Sequence, residues 1–242
     1  FFQCPLPASW QDTFDEVKRK HENVRRKMFI EALLEKIPAI DPDLAFLTPA
    51  EILKAMEENE TIRNYHKRVL EDFEPRKKEI GLLFPDAERK PWTRDKTVAL
   101  SYRHLFTSMK NLKMEEDVAI YTMSPLLGIV PEEWYDSMPM YDSSGTQSFM
   151  VRRRGLEWSS DQFKEIIDRS AAIVSKFLDK NHESCSTWHV IYRAPSVHQR
   201  IFEAAMDINP VPIWPHKTRK SLAKSYLPLR KILSEITEHP QR

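Results

Sequence analysis

A chain of 242 residues that is 41% hydrophobic and 30% charged has an ordinary globular composition, and it is long enough to bury a full core without disulfide or metal staples. With 37 Lys and Arg against 36 Asp and Glu, the net charge of +1 excludes a global basic field. Nucleic-acid binding would have to come from local clusters such as Arg25-Arg26-Lys27, Arg76-Lys77-Lys78, Arg152-Arg153-Arg154 and Lys217-Thr218-Arg219-Lys220, most of which read first as solvated faces. Two cysteines, Cys4 and Cys185, exclude a disulfide framework and a CxxC metal site, and four glycines without a Gly-rich phosphate loop exclude the common nucleotide-binding fingerprints. No apolar run approaches the ~18 residues that span a bilayer. Sparse thiols fit a reducing cytoplasm, so the expectation is a cytoplasmic protein that needs no membrane, metal or cofactor. The start, "FFQCPLPASW", lacks the basic region of a signal peptide, and Phe1 in place of Met reads as a cut from a longer chain.

Residues 9–37 predict a helix capped by Ser9, with Trp10, Phe14, Val17, Val24, Met28, Ile30, Leu33 and Leu34 recurring at helical spacing. "TPAEILKAMEEN" follows with a Thr cap and Pro at the first helical position, and "TIRNYHKRVLEDF" predicts a third helix ending near Phe73. Residues 1–74 thus read as an all-helical segment preceding a domain over 75–242. In that domain "IGLLF" (80–84), "VAIYTM" (118–123), "STWHVIYRA" (186–194) and "VPIW" (211–214) predict four short apolar strands. They alternate with helices over 98–112, about 160–182, "SVHQRIFEAAMDI" and about 219–238. Apolar strands alternating with helices imply a mainly parallel sheet covered on both faces, an α/β three-layer sandwich.

Ligands in such sheets bind beyond the carboxyl ends of the strands. Here each end runs into a proline and a polar group: Phe84-Pro85-Asp86, Met123-Ser124-Pro125, Tyr192-Arg193-Ala194-Pro195 and Trp214-Pro215-His216-Lys217. These exits are expected to converge on one rim.

The stretches "LLFPDAERKPW" and "SPLLGIVPEEWYDSMPMYDSSG" resemble the core of the archaeosine synthase family, over roughly residues 75–220. Leu127-Gly128-Ile129-Val130-Pro131-Glu132 followed by Met138-Pro139-Met140-Tyr141-Asp142 is similar to a family pairing of LG-V-P-E with a downstream YP and YD. The resemblance implies a fold like that of uracil-DNA glycosylase and a role in archaeal tRNA modification: transfer of lysine to the nitrile of a 7-cyano-7-deazaguanine base in tRNA. Pro85, Lys90 and Pro91 match the family's core signature, with Trp92 standing for its aromatic residue. Asp86 occupies the position of the nucleophilic cysteine, Asp95 that of a serine and Val98 that of a histidine. An aspartate can act as base or acceptor, but it does not form the thioimidate that a thiolate forms with a nitrile.

The candidate catalytic residues are therefore Asp86, Lys90, Asp142 and His216. Lys90 would orient a ligand carboxylate, Asp86 or His216 would move protons, and Asp142 would position the amine. Asp86 reads equally as the cap of a turn, and Lys90 as a solvated loop lysine. Trp92, Arg152, Arg153, Arg154 and Lys217 are the candidate RNA-binding residues, with Trp92 either offering a stacking face or packing beneath Pro91. His189 lies inside a strand, and His198 opens a helix where its side chain faces the same rim. Residues 140–158, with half of the glycines and three consecutive arginines, read as a functional loop. Three functions compete: tRNA modification of the archaeosine type; a non-catalytic relative that binds RNA or protein within a larger complex; and a glycosylase-like hydrolase.

Overall fold

The computed structural model describes residues 8–224 and 226–239. Cys4 and the side chains of Ser9, Trp10 and Phe14 lie outside the described residues. Helix α1 (Ala8–Leu34) is followed by α2 (Pro49–Glu58) and α3 (Glu60–Glu71). Thr48 caps α2 by accepting from the Glu51 amide, and Asn59 caps α3 by accepting from the Ile62 amide. Among the described residues of the apolar repeat of α1, Val17, Val24, Met28 and Leu34 are exposed; around Leu33 and Ile37 the chain packs inward.

Five strands form one sheet in the order β3-β2-β1-β4-β5. They are β1 (Lys78–Pro85), β2 (Val118–Ser124), β3 (Gly128–Pro131), β4 (Cys185–Arg193) and β5 (Trp214–Thr218). All neighbours are parallel except β2 and β3. The sequence predicts four strands because β3 is only four residues long and returns directly from β2 through Pro125-Leu126-Leu127. Gly128 makes that return possible: its φ is +70, and a Cβ there would lie 2.5 Å from Ile173 Cγ2.

The fifth strand also departs from expectation. It begins at Trp214, where the sequence places the end of the strand. Pro210 and Pro212 have no amide hydrogen to give, so pairing with β4 starts only at Trp214. Pro215 then sits inside an edge strand, where the missing donor is tolerated. As a result His216 lies within the strand rather than past its exit.

Helix α4 (Leu100–Leu112) links β1 to β2, α6 (Ser160–Asn181) leads from β3 to β4, α7 (Val197–Ile208) links β4 to β5, and α8 (Tyr226–Glu238) closes the chain. Side-chain alternation assigns the faces. Phe84 meets Tyr102 of α4, whereas Tyr121 meets Phe177 of α6 and Trp188 stacks on Tyr121. Thus α4 and α8 cover one face, and α6 and α7 the other. Helices α2 and α3 pack on α6, and Phe73 inserts between Tyr121, Trp134 and Phe177. The helical lead-in from Leu44 to Phe73 therefore shares one contiguous core with the sheet.

The path β1 to β2 runs one way across the sheet, and β2 to β4 runs back past β1. The chain reverses at β1, so the crevice between the carboxyl ends of β1 and β4 is the switch point where open α/β sheets bind ligands. Among the described residues no helix is long and apolar enough to cross a membrane.

Candidate functional site

Asp86 is the first residue past β1. Its amide continues the ladder by donating to Met123 O at 2.9 Å, which fixes where the side chain emerges. Across the switch point β4 ends at Arg193, the chain turns through Pro195, and Ser196 caps α7 by accepting from the Gln199 amide. This places His198 in the first turn of α7, with Nε2 2.8 Å from Asp86 Oδ1. A carboxylate can only accept, so Nε2 carries a proton, and in the neutral ring Nδ1 presents a lone pair. Nδ1 makes no hydrogen bond among the described residues, and His198 lines a cleft of about 440 Å³.

The other oxygen of Asp86 is held from below. Tyr141 Oη lies 2.8 Å from Asp86 Oδ2 and 2.6 Å from Ser124 Oγ. Tyr141 has a single hydroxyl proton, and Ser124 Oγ already accepts the amides of Leu126 and Leu127. The Ser124 proton therefore turns to Tyr141, and Tyr141 donates to the carboxylate. The chain Ser124, Tyr141, Asp86, His198 is thus directed, and it ends on the imidazole. Burial alone would push the Asp86 carboxyl up, but the contacts from His198, the nearby Lys90 and Tyr141 outweigh it and hold it below its ordinary value.

Asp142 forms a second acidic position in the cleft. Its amide donates to Leu44 O at 3.0 Å, which ties this loop to the helical lead-in. Its Oδ2 accepts from the Ser144 amide at 3.1 Å and the Ser144 hydroxyl at 2.6 Å. Gly145 lets the loop close tightly, because a Cβ there would stand 2.9 Å from Thr48 O. Burial pushes the Asp142 carboxyl up, against the Ser144 bond and Lys90. Two carboxyls in one cleft are thus pushed in opposite directions, a pattern that divides acid from base.

The sequence candidates separate. Asp86 and Asp142 meet in the cleft. Lys90 is 1% exposed, with Nζ 4.1 Å above the Tyr141 ring and 3.3 Å from Ala87 O, so it works from behind the wall and is not a solvated loop lysine. Burial lowers its pKa, against the pull of Asp86, Asp142 and Glu88. His216 does not line the cleft. It sits on the α4 and α8 face of β5, with Nε2 3.0 Å from Nδ1 of His189, and burial lowers its pKa against the pull of Glu235.

Trp92 is fully buried and stacks on Tyr102 at 5.3 Å, so its face is taken by the core and is closed to a base. Arg152 and Arg153 are exposed, whereas Arg154 turns inward, donating to Ser144 Oγ at 2.8 Å with its guanidinium 4.2 Å from the Phe29 ring centre. Lys217 is largely exposed and lies 3.9 Å from Glu203. The stretch 140–158 is an ordered turn followed by the short helix α5 (Ser148–Arg153), not an irregular loop.

Tyr141 and Trp158 escaped the site reading, and His198 was not chosen. The signal for His198 was its place one turn into a Ser-capped helix after a strand exit. Nothing local marked Tyr141, whose role depends on Ser124, 17 residues away in sequence. Among the described residues no three His, Cys, Asp or Glu gather as a metal site.

The fold and site define a mixed α/β domain with a cleft at its switch point that is lined by Asp86, Asp142 and His198. Residues 62–221 match the family described as "Domain of unknown function (DUF5591)", and the chain belongs to that family. A solved structure described as "Crystal structure of AF0587, a protein of unknown function" is similar at 17% identity and a TM-score of 0.45, covering 71% of this chain and 49% of that one. The chain spans about half the length of that protein. No curated protein matches the chain.

Proposed function

We propose that this chain is a tRNA-modification protein of the archaeosine-synthase kind, which takes a purine-like base into the cleft and moves protons on it without a covalent thiol intermediate. The observation that carries the reading is the Asp86–His198 pair opening onto a cleft whose second carboxyl, Asp142, is pushed the other way. In this reaction the lysine amine adds to the nitrile carbon. His198 Nδ1 takes the proton that the amine loses, Asp86 stabilises the resulting imidazolium, and Asp142 gives a proton to the nitrile nitrogen, leaving an amidine. Asp86 stands where the family it resembles carries its nucleophile, and its engagement with His198 and Tyr141 supports a positioning role in place of attack. Tertiary placement, not a reactive thiol, then supplies the rate.

The test is incubation of the purified protein with free lysine and tRNA bearing the nitrile base, followed by nucleoside mass spectrometry. A mass gain equal to lysine on that base, lost in His198→Asn, supports the reading; tRNA bound tightly without any adduct refutes the catalytic part. A second reading, a non-catalytic module that holds RNA or protein in a larger complex, is favoured by the sequestration of two signature residues, Lys90 and Trp92, inside the packing. Binding without adduct is its expected result.

A further inference from the structure

We infer that the outward face of α5 is a nucleic-acid lip over the cleft: Phe149 stacks on an unpaired base of single-stranded or looped RNA while Arg152 and Arg153 neutralise its phosphates. The inference rests on the reading of the cleft as a nucleobase site. Helix α5 has two distinct faces. Val151 is fully buried, and Arg154 points inward to Ser144 and Phe29. Phe149, Arg152 and Arg153 stand at i, i+3 and i+4, the spacing of one helical face. Phe149 is 64% exposed, a large apolar ring left in water at the edge of the cleft it helps to line.

Neither Arg152 nor Arg153 makes an ion pair or a side-chain hydrogen bond among the described residues. By contrast, the exposed Arg200 guanidinium sits 5.0 Å from the ring centre of Phe163, another cleft residue. Guanidiniums thus stand outside the cleft beside Phe149 and Phe163, whereas the interior carries Asp86 and Asp142. Carboxylates repel phosphate, so a nucleotide can enter only base first, with its backbone left outside on the rim. That is where Phe149, Arg152 and Arg153 are. A protein partner would call for a contiguous apolar patch around the ring; one ring flanked by two free guanidiniums fits a base and its phosphates better.

The experiment uses the full chain and two probes: a fluorescein-labelled single-stranded RNA followed by anisotropy over a salt series, and 7-cyano-7-deazaguanosine followed by calorimetry. Phe149→Ala is expected to weaken RNA binding about 10-fold, within the range that base–aromatic stacking contributes. Arg152→Gln with Arg153→Gln is expected to flatten the log–log salt slope by about 1.4, two single-strand phosphate contacts. Circular dichroism checks that these variants of exposed residues fold. RNA binding that ignores both substitutions overturns the inference, as does wild-type protein that binds the nucleoside but no RNA, or whose α5 face captures only a protein. RNA binding that depends on Phe149 and the arginines, in a protein that does not bind the nucleoside, upholds the lip and refutes the cleft reading instead.

Discussion

Asp86→Asn tests the wiring of the cleft without any substrate. The carboxylate accepts two bonds of 2.8 Å, from His198 Nε2 and Tyr141 Oη. Hydrogen bonds to a charged group are worth about 1.5–3 kcal/mol each, against about 0.5–1.5 kcal/mol for neutral ones. Asparagine keeps one acceptor for Tyr141 and turns its NH2 toward Nε2, so the imidazole keeps a bond there by moving its proton to Nδ1 and accepting at Nε2. The expected loss is about 2 kcal/mol at neutral pH, or roughly 4–8 °C in Tm for a chain of this size. Because contacts with His198 and Lys90 hold the folded carboxyl below its unfolded value, its contribution is complete above the unfolded carboxyl pKa and disappears as pH falls through the folded one. Urea titrations should therefore show a gap between wild type and variant at neutral pH that closes in acid, and 15N spectra should show the His198 proton shifted from Nε2 to Nδ1. A gap of equal size on both sides of the titration, or an unchanged His198 tautomer, would refute the reasoning.

Tyr141→Phe removes the donor between Ser124 and Asp86; a loss of about 1–2 kcal/mol is expected, together with a rise of the Asp86 titration seen by carboxyl 13C NMR, and no rise would count against the directed chain. Gly128→Ala should cost more than about 1 kcal/mol, because its φ is +70 and the new methyl meets Ile173; an unchanged Tm would show that the turn relaxes freely. Burial lowers the His66 pKa, against its bond to Leu126 O. The neutral ring therefore stabilises the fold above the unfolded imidazole pKa, and that stability is lost as pH falls through the folded value. His66→Gln should flatten this mildly acidic limb of the stability profile, and a limb of unchanged slope would assign it elsewhere.

What the sequence revealed and what it hid follow from the range of the forces involved. β1, β2 and β4 were legible because both faces are buried and the runs are apolar, and the order of strands and helices implied a sheet whose exits converge. Asp86 was legible as a rim residue for that reason, whereas Asp142 was singled out from the loop over 140–158; both line the one cleft. His216 was misplaced because the start of a strand depends on whether its neighbour can pair, and two prolines delayed that pairing by three residues. Trp92 was offered as a stacking face because a sequence does not show that Tyr102, ten positions on, already covers it. The buried position of Lys90 beneath Tyr141 joins residues 51 positions apart, and α1 showed the opposite effect: a good helical repeat in which, among the described residues, Val17, Val24, Met28 and Leu34 stay exposed.

The central claim is that the crevice between β1 and β4 receives a base beside His198. The most direct measurement is titration of the protein with 7-cyano-7-deazaguanosine while the ring signals of His198 are followed by NMR. The account predicts saturable shifts at His198 that Asp86→Asn strongly weakens, with His216 unmoved; saturation that perturbs His216 and leaves His198 untouched would contradict it.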